Sequence, residues 1–218
     1  MRRFRLTPLR LTAAVLLGGA ACVGVASAAS LGVSSNGLYA WSQTLTKASC
    51  NQTYTTEDDT FVQQSKPTTT AASSATLTIV GGAHPDYAFI RFDLSGCNLP
   101  TTGGADSATL NVVVNAHSND TISVFPVYSS WSSSTLTYNL ATASGFSVGT
   151  TATTTFVPAT NGTTYKLPVT ADVDAAIKAG TLWGWALADT SGGATTKINS
   201  ANATTVALRP TLTLNDEK

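Results

Sequence analysis

Five side chains of this sequence have the types and spacing of a sugar-contacting surface. Tyr87, Phe89 and Arg91 fall on one side of a predicted strand, and Trp183 and Trp185 share one side of another. An aromatic ring packs against the CH face of a sugar ring, while neighbouring polar groups form hydrogen bonds with its hydroxyls. We therefore predict that these five residues bind carbohydrate.

The same residues would also suit a second layer packed over the sheet. The residues that alternate with them in the first strand are purely apolar and mark its core side. If the other side is covered too, Trp183 and Trp185 join the core. Arg91 would then form a buried ion pair with a carboxylate such as Asp93 or Asp172. The sequence leaves both interpretations open.

Sequence motifs for catalysis are weak. A G-x-S-x-G pattern surrounds Ser147, but the residues after it favour a strand, and both His84 and His117 lie upstream. A nucleophile elbow needs a helix after the serine and a histidine further along the chain. Glu57 and Glu217 are the only glutamates, which gives little basis for a glycosidase pair. We predict that the protein is not an enzyme and keep a polysaccharide-active enzyme as a residual alternative.

Metal binding is predicted only weakly. The two histidines are isolated, so no zinc-ligand spacing is present. Asp58, Asp59 and Asp93 are the candidates for a structural calcium ion, which takes carboxylate and carbonyl oxygens. A solvated acidic loop is the alternative for the same residues. We expect no other cofactor.

The first 28 residues have the pattern of a secretory signal peptide. Four arginines precede an apolar stretch, and Ala26-Ser27-Ala28 provides a small-x-small cleavage site. Twin-arginine export through Arg2-Arg3 and lipidation of Cys22 are alternatives. Removal of this leader leaves eight basic residues against 12 acidic ones, a net charge of −4. We therefore expect an extracellular or cell-surface monomer without nucleic-acid or membrane partners.

Cys50 and Cys97 are the only cysteines that follow the leader. In an oxidising compartment we expect them to form a disulfide, with two free buried thiols as the alternative. The bridge would close a loop of about 47 residues, worth ~4 kcal/mol on the chain-entropy model. It would tie an N-terminal strand segment, residues 29–53, to the domain formed by residues 54–218.

Alternating short strands separated by turn residues predict an all-β fold. One segment, Val169–Lys178, instead has helical spacing and is followed by Gly180. The predicted architecture is a β-sandwich with one short helix closing an edge or end. The strands are predicted at Thr60–Val62, Leu77–Val80, Tyr87–Ser95, Ala108–Asn115, Thr121–Tyr128, Thr151–Val157, Thr181–Asp189 and Val206–Leu214.

Four ordered motifs resemble the DNRLRE domain, also grouped as carbohydrate-binding module family 96. They are Asp59–Val62, Ile90–Ser95, the segment from Trp131 to Asn139, and Arg209–Thr213. The resemblance covers roughly residues 54–214, and it implies a jelly-roll β-sandwich that binds polysaccharide or acts as an accessory surface module. The expected function is a secreted, non-catalytic polysaccharide-binding module. The alternative is an extracellular structural or adhesin-like protein that contacts other proteins through its strand edges.

Overall fold

The computed structural model describes residues 52–94, 105–179 and 183–215. The predicted signal peptide, most of the N-terminal segment, and both Cys50 and Cys97 lie outside the described residues. In the described part of the chain, no helix has the length and apolar character that crossing a membrane requires.

Antiparallel strands in two sheets form almost all of the regular structure. The strands are β1 (Gln52–Thr55), β2 (Asp58–Gln63), β3 (Thr76–Ile79), β4 (Asp86–Arg91), β5 (Ser107–Ala116), β6 (Ile122–Pro126), β7 (Thr154–Phe156), β8 (Thr164–Pro168), β9 (Trp185–Asp189), β10 (Thr196–Asn199) and β11 (Thr211–Asn215). The helices are α1 (Tyr138–Ala141) and α2 (Thr170–Ala179), with a 3-10 turn at Val206–Leu208.

The strand order is that of a jelly roll. One sheet runs β1-β11-β5-β10-β3, with β8 also paired to β5, and the other runs β2-β4-β9-β6-β7. Strands β3 to β10 form two interleaved Greek keys, with β10 beside β3 and β9 beside β4. Each connection between them crosses from one sheet to the other, except the connection from β6 to β7, which are neighbours in the five-stranded sheet. The predicted all-β jelly-roll sandwich is confirmed.

The core lies between the sheets and follows the period-two pattern of the strands. Ala88 and Ile90 of β4, and Leu110 and Val112 of β5, are fully buried in the main cluster. Each of these pairs is separated by one residue that points to the opposite side of its sheet. The apolar face predicted for β4 is therefore the core face.

Helix α2 closes one end of this core. The predicted helix is confirmed, and Val169 and Val173 at its start are fully buried. The Asp172 carboxylate accepts hydrogen bonds from Trp185 Nε1 at 2.8 Å and from Thr153 Oγ1 at 2.6 Å. The prediction of a single helix is wrong, because the structure has a second helix, α1. This helix is one turn long, which is too short to show a periodic signal in the sequence.

Three strands, β1, β8 and β10, lie outside the predicted set. Their sequences are rich in threonine and other polar residues, and the buried apolar positions are few, namely Leu167 in β8 and Ile198 in β10. The strand predicted at Val206–Leu214 begins only at Thr211, after the 3-10 turn. Neighbouring strands supply the hydrogen-bond ladder that a thin apolar pattern does not reveal.

An outer layer covers the second face of the five-stranded sheet. It is formed by residues 127–148, which connect β6 towards β7 and include α1. Val127, Trp131 and Leu136 of this layer are buried against Val62 and Phe89 of the sheet. The open question about the aromatic face of β4 is therefore settled in favour of a packed layer.

Candidate functional site

Two of the predicted sugar-binding residues are core residues. Phe89 is 2% exposed and packs edge-on against Trp131 and Phe146 of the outer layer. Trp185 is 1% exposed, packs edge-on against Phe92, and belongs to the main core. Neither ring has a face open to solvent, so the structure does not favour them as sugar contacts, and their binding of carbohydrate stays a prediction. The covering layers on both sides of the sheet are the physical reason.

Tyr87 is half-buried at the edge of the outer layer. Its ring stacks on Tyr138 with centroids 6.0 Å apart and planes 8° from parallel. Burial, together with the neighbouring Tyr138 hydroxyl, raises the pKa of Tyr87 above its usual value. One face of the Tyr87 ring is thus taken by α1, which leaves it a secondary candidate for ligand contact.

Arg91 organises the end of the five-stranded sheet. Its guanidinium carbon lies 5.5 Å from the ring centroid of Trp131 and 5.3 Å from that of Trp183. Its Nη1 donates to the Trp131 carbonyl oxygen at 2.8 Å, and its Nη2 donates to Glu57 Oε1 at 3.0 Å. Asp58 lies 3.7 Å from the same nitrogen. This group therefore combines cation–π contacts with charge-assisted hydrogen bonds.

Arg91 pairs with two carboxylates that the sequence analysis did not suggest. Asp172 instead accepts the indole N–H of Trp185, and the ion pairs of Arg91 involve Glu57 and Asp58. Strand pairing explains the difference, because Asp58 of β2 lies directly opposite Arg91 of β4. Cross-strand register of this kind cannot be read from one strand alone.

Trp183 is the predicted site residue that offers a ring to solvent, with 37% of its surface exposed. Its backbone N–H donates to the Val127 carbonyl oxygen at 2.7 Å, and its own carbonyl oxygen accepts Trp131 Nε1 at 2.7 Å. Gly184, with a φ of +93°, follows it, and a Cβ there would collide with the Ile90 carbonyl oxygen. Backbone hydrogen bonds of Trp183 and the close approach at Gly184 thus hold the backbone that carries the exposed indole.

Tyr128 is a second exposed ring at the same end of the sheet, and sequence analysis missed it. It is 45% exposed, and it directly follows Val127, whose carbonyl oxygen accepts the Trp183 N–H. Its own N–H donates to the Ser147 carbonyl oxygen at 2.9 Å. Its place at the end of a predicted strand gave no sign of whether it faced core or solvent. Tyr128, Trp183, Arg91 and Glu57 are called the sheet-end site below.

A shallow groove adjoins the sheet-end site. It has a volume of about 380 Å³ and shares Glu57 with that site. Threonine hydroxyls and carboxylates along it provide both donors and acceptors for hydrogen bonds. The lining residues are Thr53, Tyr54, Thr55, Thr56, Glu57 and Asp93.

The three predicted calcium candidates do not form one site. Asp58 accepts the Ser133 N–H at 2.8 Å beside the outer layer, whereas the next residue, Asp59, faces the sandwich interior and accepts the Ala201 N–H at 2.6 Å. Asp93 lines the groove. Within residues 52–94, 105–179 and 183–215, no three acidic, histidine or cysteine side chains are grouped to hold a metal.

Burial gives Asp59 an unusual protonation equilibrium. Its side chain is almost completely buried, which raises its pKa from 3.8 to about 6, with a further upward contribution from the charge of Asp58. The Ala201 N–H opposes this shift by stabilising the ionised form. Asp59 therefore changes its charge in mildly acidic solution.

The motif around Ser147 has the geometry of a loop. Ser147 N–H donates to Ser129 Oγ at 2.7 Å, and no strand-to-helix turn encloses it within residues 105–179. His84 Nδ1 lies 3.0 Å from Gln64 Oε1, and His117 Nδ1 lies 2.8 Å from Asn161 Oδ1. Neither Gln64 nor Asn161 belongs to a hydrolytic triad.

A comparison of the sequence with family models assigns the chain to a known group of proteins. The model of carbohydrate-binding module family 96 matches residues 51–216, which include every strand described above. The chain belongs to carbohydrate-binding module family 96. No curated protein matches it significantly. Membership in this family makes carbohydrate binding the property to look for at the exposed rings.

Proposed function

We propose that the chain is a secreted, non-catalytic polysaccharide-binding module whose ligand lies against Trp183 and Tyr128. The observation that supports this proposal most strongly is the exposure of the Trp183 ring on a backbone fixed by hydrogen bonds on both sides. A preformed platform loses little conformational entropy when a sugar ring stacks on it. The signal-peptide pattern of residues 1–28 supports secretion.

Arg91 acts in this proposal as a positioning residue. Its guanidinium touches both tryptophans and holds Glu57, so few of its donors remain for a ligand. The exposed Glu57 carboxylate can accept hydrogen bonds from sugar hydroxyls, and the threonines of the adjoining groove can extend the contact along a chain. A polymer is therefore a better ligand than a single sugar.

Charge favours neutral polysaccharides over polyuronates. Glu57 and Asp58 already surround the one guanidinium of the sheet-end site. A uronate carboxylate placed there would meet two like charges, which costs free energy. The net charge of −4 expected after removal of the predicted leader acts in the same direction at longer range.

Affinity gel electrophoresis over a panel of neutral and uronic polysaccharides tests the proposal. We expect retardation by at least one neutral polymer and a loss of that retardation in Trp183→Ala. Val206→Ala is the matched control, since Val206 is an exposed apolar residue outside the sheet-end site. Retention by no glycan would overturn the proposal. Attachment to cell walls without competition by sugar would favour the adhesin-like alternative.

A further inference from the structure

Loops gather at the opposite end of the five-stranded sheet from Trp183. Strand β9 starts near Trp183 and ends at Asp189, which pairs with Ile122 at the start of β6. Asp120 lies just before β6, and Gly81 lies in the turn between β3 and β4. The connection that follows β3, the connection that precedes β6 and the connection that follows β9 therefore meet at this end of the sheet.

The two carboxylate oxygens of Asp189 differ in their hydrogen bonding. The residue is 9% exposed, and its Oδ1 accepts the N–H groups of Ser191 at 2.9 Å and Gly192 at 3.0 Å. Its Oδ2 is buried and has no hydrogen-bond partner among the described residues. An unpaired oxygen of a buried carboxylate is costly, so natural proteins usually supply it with a donor, a water or an ion.

Further oxygens surround the same turn. A Cβ on Gly81 would collide with the Gly192 carbonyl oxygen, and it would lie 2.8 Å from the Asp189 carboxyl carbon and 3.0 Å from the Asp189 carbonyl oxygen. A Cβ on Gly192 would collide with the Asp120 carboxylate. Asp120 Oδ2 also accepts the Ala194 N–H at 3.0 Å. Glycine at both positions lets these oxygens approach closely.

We propose that this cluster binds a calcium ion through the carboxylates of Asp189 and Asp120 and the carbonyl oxygen of Gly192. Oxygen ligands from irregular loops suit calcium, while zinc would need nitrogen or sulfur. Two carboxylates give a modest ligand charge, and water completes the coordination. The site therefore belongs to the weak class of extracellular modules, with a Kd of about 10⁻⁴–10⁻³ M.

This inference is independent of the proposed sugar site, because the cluster lies at the other end of β9. Its role is structural: the ion would join the turn after β3 to the loop after β9. Unlike the acidic segment singled out from sequence, this cluster depends on backbone carbonyls and on residues far apart in the chain. Neither feature can be seen from residue spacing.

Thermal melting and calorimetric titration of the purified protein with calcium chloride test the site. We expect calcium to raise the Tm, magnesium to raise it much less, and Asp189→Asn to weaken calcium binding at least about tenfold. Asp174→Asn is the matched control, because it removes the same charge elsewhere and its amide oxygen can still accept the Ala105 N–H. If Asp189→Asn fails to fold, Asp120→Asn replaces it with the same expectation. Absence of calcium binding, or equal affinity in the wild type and the folded variant, would overturn the proposal.

Discussion

The buried carboxylate of Asp59 makes a quantitative prediction about stability and pH. Burial raises the pKa of Asp59 from 3.8 in the unfolded chain to about 6 in the folded protein. Between these values the unfolded chain releases its proton while the folded protein keeps it. Stability from this group is therefore greatest below the unfolded pKa and is lost as pH rises towards the folded pKa.

The size of the effect follows from the shift. Two pKa units correspond to about 3 kcal/mol of free energy of unfolding lost across this window. Asp59→Asn removes the titrating group, while its amide oxygen can still accept the Ala201 N–H. We expect the free energy of unfolding of the variant, relative to that of the wild type, to increase by about 2–3 kcal/mol between acidic and neutral pH.

Urea unfolding of the wild type and Asp59→Asn at matched pH values measures this directly. The difference between the two proteins at each pH cancels the titration of all groups that the substitution does not touch. A difference that stays flat from pH ~4 to ~7 would refute the raised pKa of Asp59. A difference that grows with falling pH would show the opposite sign and would refute the burial argument too.

Two further substitutions test the architecture of the sheet-end site. Arg91→Lys keeps the charge but cannot reproduce the paired hydrogen bonds to Glu57 and the Trp131 carbonyl, so we expect a loss of about 1–3 kcal/mol in urea unfolding; an unchanged midpoint would contradict this. Gly184→Ala should destabilise far more than Gly162→Ala, since both have positive φ but only Gly184 lacks room for a Cβ; equal losses in thermal melting would show that backbone strain alone decides.

The core-facing residues could be predicted from the sequence because they recur with the local period of their strand or helix. The apolar face of β4 was sufficient for this prediction, and so was the helical spacing of Val173 from Val169, which immediately precedes α2. The aromatic side of β4 was ambiguous, since Phe89 has the same alternation whether a layer covers it or not. The layer that buries it comes from residues 127–148, and its docking is a long-range event that no local pattern encodes.

The grouping of the site residues could be predicted only in part, because it depends on contacts between strands that are distant in the sequence. Arg91 and Trp183 lie together at one end of the sheet, as expected of residues on a shared binding surface, whereas Trp185 faces the core. Tyr128 joins them only through strand pairing between β6 and β9. Residues brought together by register become visible once the sheet is assembled.

The central claim is that polysaccharide binds against the exposed ring of Trp183. A binding isotherm on the best-retained polysaccharide tests this claim most directly. Stacking of one ring is worth about 1 kcal/mol or slightly more, so we expect Trp183→Ala to raise the Kd about five- to tenfold, with Val206→Ala unchanged. Circular dichroism of each variant controls for folding. A folded Trp183→Ala that binds the polysaccharide as tightly as the wild type would contradict the account.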